Sequence, residues 1–145
     1  MPIAQGLTTS FKQNLLNGLE NFTTGHYRIA LYTADANIGN QTTVYSNTNE
    51  VVGDGYSEGG AMLSVIPPAS NVQANTAYVS FYSVTWSPAS FTAAGALIYN
   101  ADTGASVCVL NFGGSKTAAN SFTITFPPRS EEHTSELQSR LHLVC

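Results

Sequence analysis

Short alternating segments, each closed by a turn-forming cluster, are the feature of this sequence that most restricts its fold. Apolar and polar side chains alternate in Tyr27–Tyr32, Thr76–Phe81 and Phe122–Phe126, and turn residues follow at Pro67-Pro68 and Asn100–Gly104. A period of two is typical of strands that are buried on one face. The pattern predicts seven to eight short strands in an all-β fold, an antiparallel β-sandwich of immunoglobulin-like or jelly-roll-like type.

One short helix is predicted ahead of the strands. An apolar residue recurs every four positions near the N-terminus, and one further leucine widens the stripe: Leu7, Phe11, Leu15, Leu19 and Leu16. Such spacing is typical of an amphipathic helix. Thr9 or Ser10 is expected to cap its start, and Gly18 is expected to end it in a left-handed turn.

The apolar positions of the predicted helix and strands indicate which residues form the core. The runs Phe91–Tyr99 and Val107–Phe112 are expected to form a hairpin across the Asn100–Gly104 turn. Phe11 and Leu15 are expected to dock the helix on the sheet. The large apolar strand residues complete the predicted core: Leu31, Trp86, Leu97, Ile98, Val109, Leu110, Ile124 and Phe126.

Charge is scarce before Pro128 and excludes several classes of partner. The cationic residues of that region are Lys12, Arg28 and Lys116, too few for a nucleic-acid or anionic-lipid surface. No apolar run approaches the ~20 residues of a membrane-spanning helix. The first residues also lack the basic and apolar regions of a signal peptide, which indicates synthesis in the cytoplasm without export by that route.

The composition changes abruptly at the junction of Pro128 and Arg129. The C-terminal tail (residues 129–145), RSEEHTSELQSRLHLVC, is rich in charge and contains two of the three histidines. Its run Arg129–Ser139 resembles the in-frame translation of a common sequencing adapter. We therefore interpret residues 1–128 as a single β-sandwich domain and the tail as an artefact, disordered or loosely helical. A genuine acidic C-terminal tail is the alternative.

One five-residue pattern matches a hydrolase motif. Ser57 lies in Gly55–Gly59, which has the G-x-S-x-G spacing of a nucleophile elbow. That motif requires a following helix and a later histidine, yet no helical pattern follows Gly59, and His133 and His142 lie in the tail. The segment is therefore predicted to be a glycine-rich turn.

Neither a metal site nor a cofactor site is predicted. Glu50, Asp54 and Glu58 are close in sequence but lack the spacing of a calcium-binding loop, and we interpret them as solvated loop carboxylates. Cys108 lies in an apolar run and is expected to be a small buried residue without a disulfide. The sequence thus contains no catalytic constellation, and the protein is not expected to be an enzyme.

Two tyrosines are candidates for surface recognition. Most aromatic residues fall at strand positions, where packing in the core is expected. Tyr45 and Tyr56 instead lie in polar loops, where their rings could stack on sugars. This leaves open a second function, a carbohydrate-binding module that contacts host glycans through Tyr56 and the loop Ala34–Asn49.

Several segments together resemble a known family: Phe11–Gly18, Tyr27–Thr33, Thr48–Val51, Gly53–Tyr56, Val84–Trp86 and Phe91–Asn100. Over about residues 7–127 the chain is similar to small virion structural proteins of tailed bacteriophages. The resemblance implies a non-enzymatic particle component, either a capsid decoration protein or a tail- or fibre-associated protein. It also implies a virion location after synthesis in the host cytoplasm, and other virion proteins as partners of a homo-oligomeric or multi-copy protein.

Overall fold

A computed structural model describes residues 3–71, 76–125 and 141–143 of the chain. The single helix among them, α1, is Thr9–Leu16. The strands are β1 (Gly6–Leu7), β2 (Tyr27–Tyr32), β3 (Ala61–Leu63), β4 (Val65–Asn71), β5 (Thr76–Phe81), β6 (Val84–Trp86), β7 (Thr92–Asn100), β8 (Ser106–Thr117), β9 (Phe122–Ile124) and β10 (Leu141–Leu143).

The prediction of an all-β fold with one short N-terminal helix is confirmed. The main sheet has five antiparallel strands in the order β1-β8-β7-β2-β3. Strands β10, β5 and β4 form a second sheet, and β6 pairs with β9. The described residues contain ten strands, more than predicted, because the two residues of β1 and the three residues of β10 are too few to be recognised as strands from the sequence. The sandwich arrangement stays a prediction.

The predicted hairpin of β7 and β8 forms the centre of the main sheet. Leu97 pairs with Val109, and Ile98 pairs with Cys108. Their side chains are completely buried, as predicted for Cys108. The other predicted core residues of the strands are also buried, namely Leu31, Trp86, Leu110 and Ile124, whereas Phe126 lies outside the described residues.

The second face of the main sheet is also covered, which the sequence did not predict. Strand β2 was expected to be buried on one face only. Ala30 and Tyr32, which lie on its other face, are buried as well. Ile3, Ala36 and Ile38 pack against them. The polar loop Ala34–Asn49 therefore contributes Ala36 and Ile38 to a second core, whereas its Val44 is exposed.

The helix is shorter than the apolar stripe and begins one residue earlier than expected. Thr8 is the N-cap, and its hydroxyl oxygen accepts a hydrogen bond from the Phe11 N–H at 3.2 Å. Gly18 follows the helix with φ of +76°, the predicted left-handed turn. Phe11 is buried and Leu15 packs against the core. The helix ends at Leu16, so Leu19 lies beyond it, and both leucines are exposed.

The turn predicted at Pro67 and Pro68 does not form, because a strand continues through both prolines. Strand β4 contains Pro67 and Pro68, and its register against β5 shifts between Ile66 and Ala69. Proline has no N–H to donate to a ladder. An irregularity in strand pairing at the two prolines therefore takes the place of the predicted turn.

The described part of the tail forms a strand. Leu141–Leu143 pairs in parallel with β5, with Leu141 opposite Ala77 and Leu143 opposite Val79. These three residues depart from the disordered or loosely helical state that was predicted, while the rest of the tail lies outside the described residues. Within the described ranges, no helix has the length and apolar character needed to cross a membrane.

Candidate functional site

Glu50 is a buried carboxylate at the margin of the main sheet. The segment around it pairs with the end of β2, because the Thr33 N–H donates to Asn49 O and the Val51 N–H donates to Leu31 O, both at 2.9 Å. Glu50 itself forms an isolated bridge with Tyr32. Only 7% of its surface is exposed. This pairing turns the carboxylate of a loop residue towards the interior.

Three uncharged donors surround that carboxylate. The Tyr45 hydroxyl donates to Oε1 at 2.5 Å, the Tyr56 hydroxyl donates to Oε2, and the Gly59 N–H donates to Oε2 at 2.8 Å. The only ion pair among the described residues joins His26 and Asp102, away from Glu50. A buried charge requires hydrogen bonds or a counter-charge. In this Glu50 cluster (Tyr45, Glu50, Tyr56 and Gly59), neutral donors meet that requirement.

The two phenols of the cluster keep their protons. Burial raises the pKa of Tyr45 and of Tyr56 far above the ordinary value, and the hydrogen bond to Glu50 raises each pKa further. A tyrosine with a raised pKa is a poor nucleophile and a poor base. Tyr45 and Tyr56 therefore act as stable hydrogen-bond donors that hold their loops to Glu50.

A glycine turn closes the cluster against β2. The Gly60 N–H donates to Ser57 O at 2.9 Å, and Gly59 O accepts a hydrogen bond from the Tyr99 hydroxyl at 2.7 Å. Arg28 donates to Gly60 O at 2.8 Å. Ser57 is thus exposed in a glycine-rich turn, as predicted, rather than on a strand-to-helix elbow. Gly60 has φ of +81° and lies directly against β2.

The structure brings Tyr45 and Tyr56 together, although the sequence suggested two separate surface residues. The Tyr45 ring stacks on Tyr99 with centroids 4.6 Å apart. The Tyr56 ring lies 5.7 Å from Phe91 and 6.1 Å from Trp86. Both rings are half-buried, and both hydroxyls are occupied by Glu50. Each tyrosine therefore has a structural role in this fold.

The interpretation of Glu50 as a solvated loop carboxylate was wrong. Asp54 and Glu58 are exposed as expected, but Glu50 is buried. The available signal was the pair of tyrosines in polar loops, since a half-buried tyrosine hydroxyl usually has a hydrogen-bond partner. Nothing in the sequence identified Glu50 as that partner.

A second buried glutamate follows the same design. Glu20 is 8% exposed, and its Oε1 accepts hydrogen bonds from the Tyr27 hydroxyl and the Asn100 side-chain amide, both at 2.9 Å. In the part of the chain that the structure describes, no three His, Cys, Asp or Glu residues form a metal-binding group. Through its two hydrogen bonds, Glu20 joins its own segment to β2 and β7.

A cleft of about 370 Å³ opens beside the cluster, between the loop after β2 and the sheet. Its lining contains no charged side chain: Tyr32, Asn37, Ile38, Gln41, Thr42, Thr43, Val44, Ser46, Thr48, Asn49 and Leu97. Of its apolar members, Tyr32, Ile38 and Leu97 are buried and Val44 is exposed. Most of the hydroxyl and amide residues are exposed as well. The cleft thus combines an apolar base with neutral polar walls.

Comparisons of the chain with protein families, with curated proteins and with solved structures found no match. Function is therefore inferred from the residues and their contacts.

Proposed function

We propose that this protein is a non-enzymatic structural component of a tailed-phage particle, a capsid decoration protein or a tail- or fibre-associated protein. It docks on other virion proteins in several copies through the edges of its strands. The resemblance described above supports the particle role. The pairing of β5 with a strand from beyond residue 128 is the observation that carries the docking mechanism.

Strand addition is a general mode of docking. An edge strand presents unpaired N–H and C=O groups, and an added strand satisfies them while alternate side chains provide specificity. Leu141–Leu143 adds to β5 in this way, in parallel register. Because we interpret residues 129–145 as an artefact, we assign this edge in the natural protein to a strand of another chain.

The surface composition supports docking by backbone pairing and apolar contact. Val52 is 94% exposed and Tyr82 is 58% exposed, and Met62 is half-exposed on β3, which ends the main sheet. Charged residues are few, and the buried carboxylates of Glu20 and Glu50 are occupied by neutral donors. An interface built on such groups depends little on salt.

Removing the tail is expected to increase self-association. Residues 1–128 should sediment as larger species than the full chain at equal concentration, since the β5 edge is then uncovered. Their unfolding free energy should change by less than about 1 kcal/mol, because β5 is the one strand that β10 pairs with among the described residues. Sedimentation velocity over a concentration series and denaturant unfolding provide the two measurements.

His142→Pro in the full chain is the matched control. Proline in the middle of β10 interferes with its pairing to β5 and retains the remaining tail residues. This variant should associate as residues 1–128 do. If the truncated chain, the variant and the full chain all stay monomeric over the whole series, the β5 edge is not a docking surface.

One observation favours the second candidate function, a carbohydrate-binding module for host-surface recognition. That observation is the uncharged cleft, which the loop Ala34–Asn49 largely forms. Its polar walls differ from the stacking site expected at Tyr45 and Tyr56.

A further inference from the structure

The cleft contains polar side chains with unused hydrogen-bonding capacity. The Asn37 and Gln41 amides and the Thr43 hydroxyl line it and make no hydrogen bond to any other described residue. All three residues are exposed. Each amide offers both donors and an acceptor, and the hydroxyl offers one donor and two lone pairs. These groups are available to a ligand without the loss of an existing contact.

The neighbouring polar groups are already committed and give the cleft a defined shape. The Thr42 hydroxyl accepts a hydrogen bond from the Gly39 N–H at 3.0 Å, and the Ser46 hydroxyl bonds the Thr48 hydroxyl at 3.1 Å. The Asn49 amide donates to Asp35 O at 3.2 Å. The walls therefore consist of a fixed polar frame with three unused groups in it.

The loop Ala34–Asn49, which carries these groups, is hydrogen-bonded to the sheet. Ser106 of β8 donates from its N–H to Thr43 O at 2.9 Å and from its hydroxyl to Thr42 O at 2.7 Å. The Tyr45 N–H donates to Gly104 O at 2.8 Å, and the Tyr32 hydroxyl donates to Ser46 O at 2.6 Å. Such a preformed site loses little conformational entropy when a ligand binds.

The lining selects the chemistry of the ligand. No charged side chain lines the cleft. The lining therefore offers no counter-charge to a ligand that carries a phosphate, a carboxylate or an ammonium group. The base is apolar at Ile38 and Leu97, and the walls supply amides and hydroxyls. A ligand that matches both parts is uncharged, has C–H groups on one side and carries several hydroxyls. A neutral saccharide has these properties.

We propose that this cleft binds a neutral saccharide, with Asn37, Gln41 and Thr43 as the hydrogen-bonding residues. Its volume of about 370 Å³ is near the lower end of the range for ligand sites, which suits one or two sugar units rather than a long chain. The proposal deepens the second candidate function and does not depend on docking through β5.

The test uses a panel of neutral oligosaccharides of glucose, galactose and N-acetylglucosamine, with sialylated and sulfated oligosaccharides as the charged set. Binding to the full chain is measured by isothermal titration calorimetry. At least one neutral compound should bind, and the charged set should not. Gln41→Ala and Thr43→Val should each weaken binding about ten-fold, the effect of one lost hydrogen bond.

Asn120→Ala is the matched control, because Asn120 is an exposed amide that does not line the cleft. It should leave saccharide affinity unchanged. The proposal is overturned if no neutral compound binds, if only charged compounds bind, or if Gln41→Ala and Thr43→Val bind as tightly as Asn120→Ala. Sedimentation of the same variants reports on β5 docking, so a failure of one proposal is distinguishable from a failure of the other.

Discussion

Glu50→Ala is expected to lower the unfolding free energy by about 3–5 kcal/mol, the cost of leaving several buried partners without their acceptor. The change removes the acceptor of the Gly59 N–H and of the Tyr45 and Tyr56 hydroxyls. The segments that carry Tyr45 and Gly59 then lose their hydrogen bonds to the residue that pairs with the end of β2. Urea unfolding of the variant and the unmodified protein measures the loss.

Two further variants separate the acceptor role of Glu50 from its charge. Glu50→Gln keeps the shape and one acceptor oxygen, so its loss should be smaller than that of the alanine variant. Glu58→Ala removes an exposed carboxylate of the same loop and should change stability by less than about 0.5 kcal/mol. A loss in Glu50→Ala no larger than that in Glu58→Ala would contradict the structural role of the cluster.

Gly60→Ala is expected to be the most damaging single substitution, with a loss above about 4 kcal/mol or a failure to fold. The φ of Gly60 is +81°, and a Cβ there would lie 1.8 Å from the backbone oxygen of Ile29. That oxygen belongs to the central part of β2 and cannot move aside without disturbing the main sheet. Soluble yield and denaturant unfolding are the readouts.

Gly104→Ala is the control for backbone conformation alone. Gly104 has φ of +82°, nearly the same as Gly60, but no atom lies within 4 Å of the added Cβ. Its alanine variant should lose only the cost of the left-handed conformation, about 1–2 kcal/mol. Equal losses at the two glycines would mean that the contact between Gly60 and β2 does not form.

The fold class was predictable because the period of two is local. Alternation identified β2, β5 and β9, whereas continuous apolar runs identified β7 and β8. The large apolar residues Leu97, Ile98 and Val109 proved to be fully buried. The hairpin followed from its turn residues. Gly18 likewise ended the helix as expected. These features depend on neighbouring residues, which a sequence displays directly.

The second core was not predictable in the same way. Ala36 and Ile38 are isolated apolar residues in a polar stretch, with no period to indicate burial. They are covered because the segment folds back over β2, held by the hydrogen bond from Thr33 to Asn49 O. The strand β10 has only three residues, too few for its Leu-His-Leu pattern to distinguish it from the rest of the tail.

The candidate sites were only partly predictable. The sequence singled out Tyr45 and Tyr56 as aromatic residues in polar loops, but their shared acceptor Glu50 emerges only when residues 49–51 pair with β2. The cleft depends on contacts between the loop and β8, which are separated by about sixty residues along the chain. Side chains that meet through such long-range pairing give no local signal.

Co-sedimentation with phage particles tests the proposed function most directly. Purified residues 1–128 are incubated with capsids and with tails of tailed phages, and the particles are separated on density gradients at low and at high salt. We expect the protein to travel with capsids or with tails, in similar amounts at both salt concentrations, because apolar contacts and backbone pairing are little screened. Recovery of all the protein at the top of the gradient, away from assembled capsids and tails, would contradict a structural role in the particle.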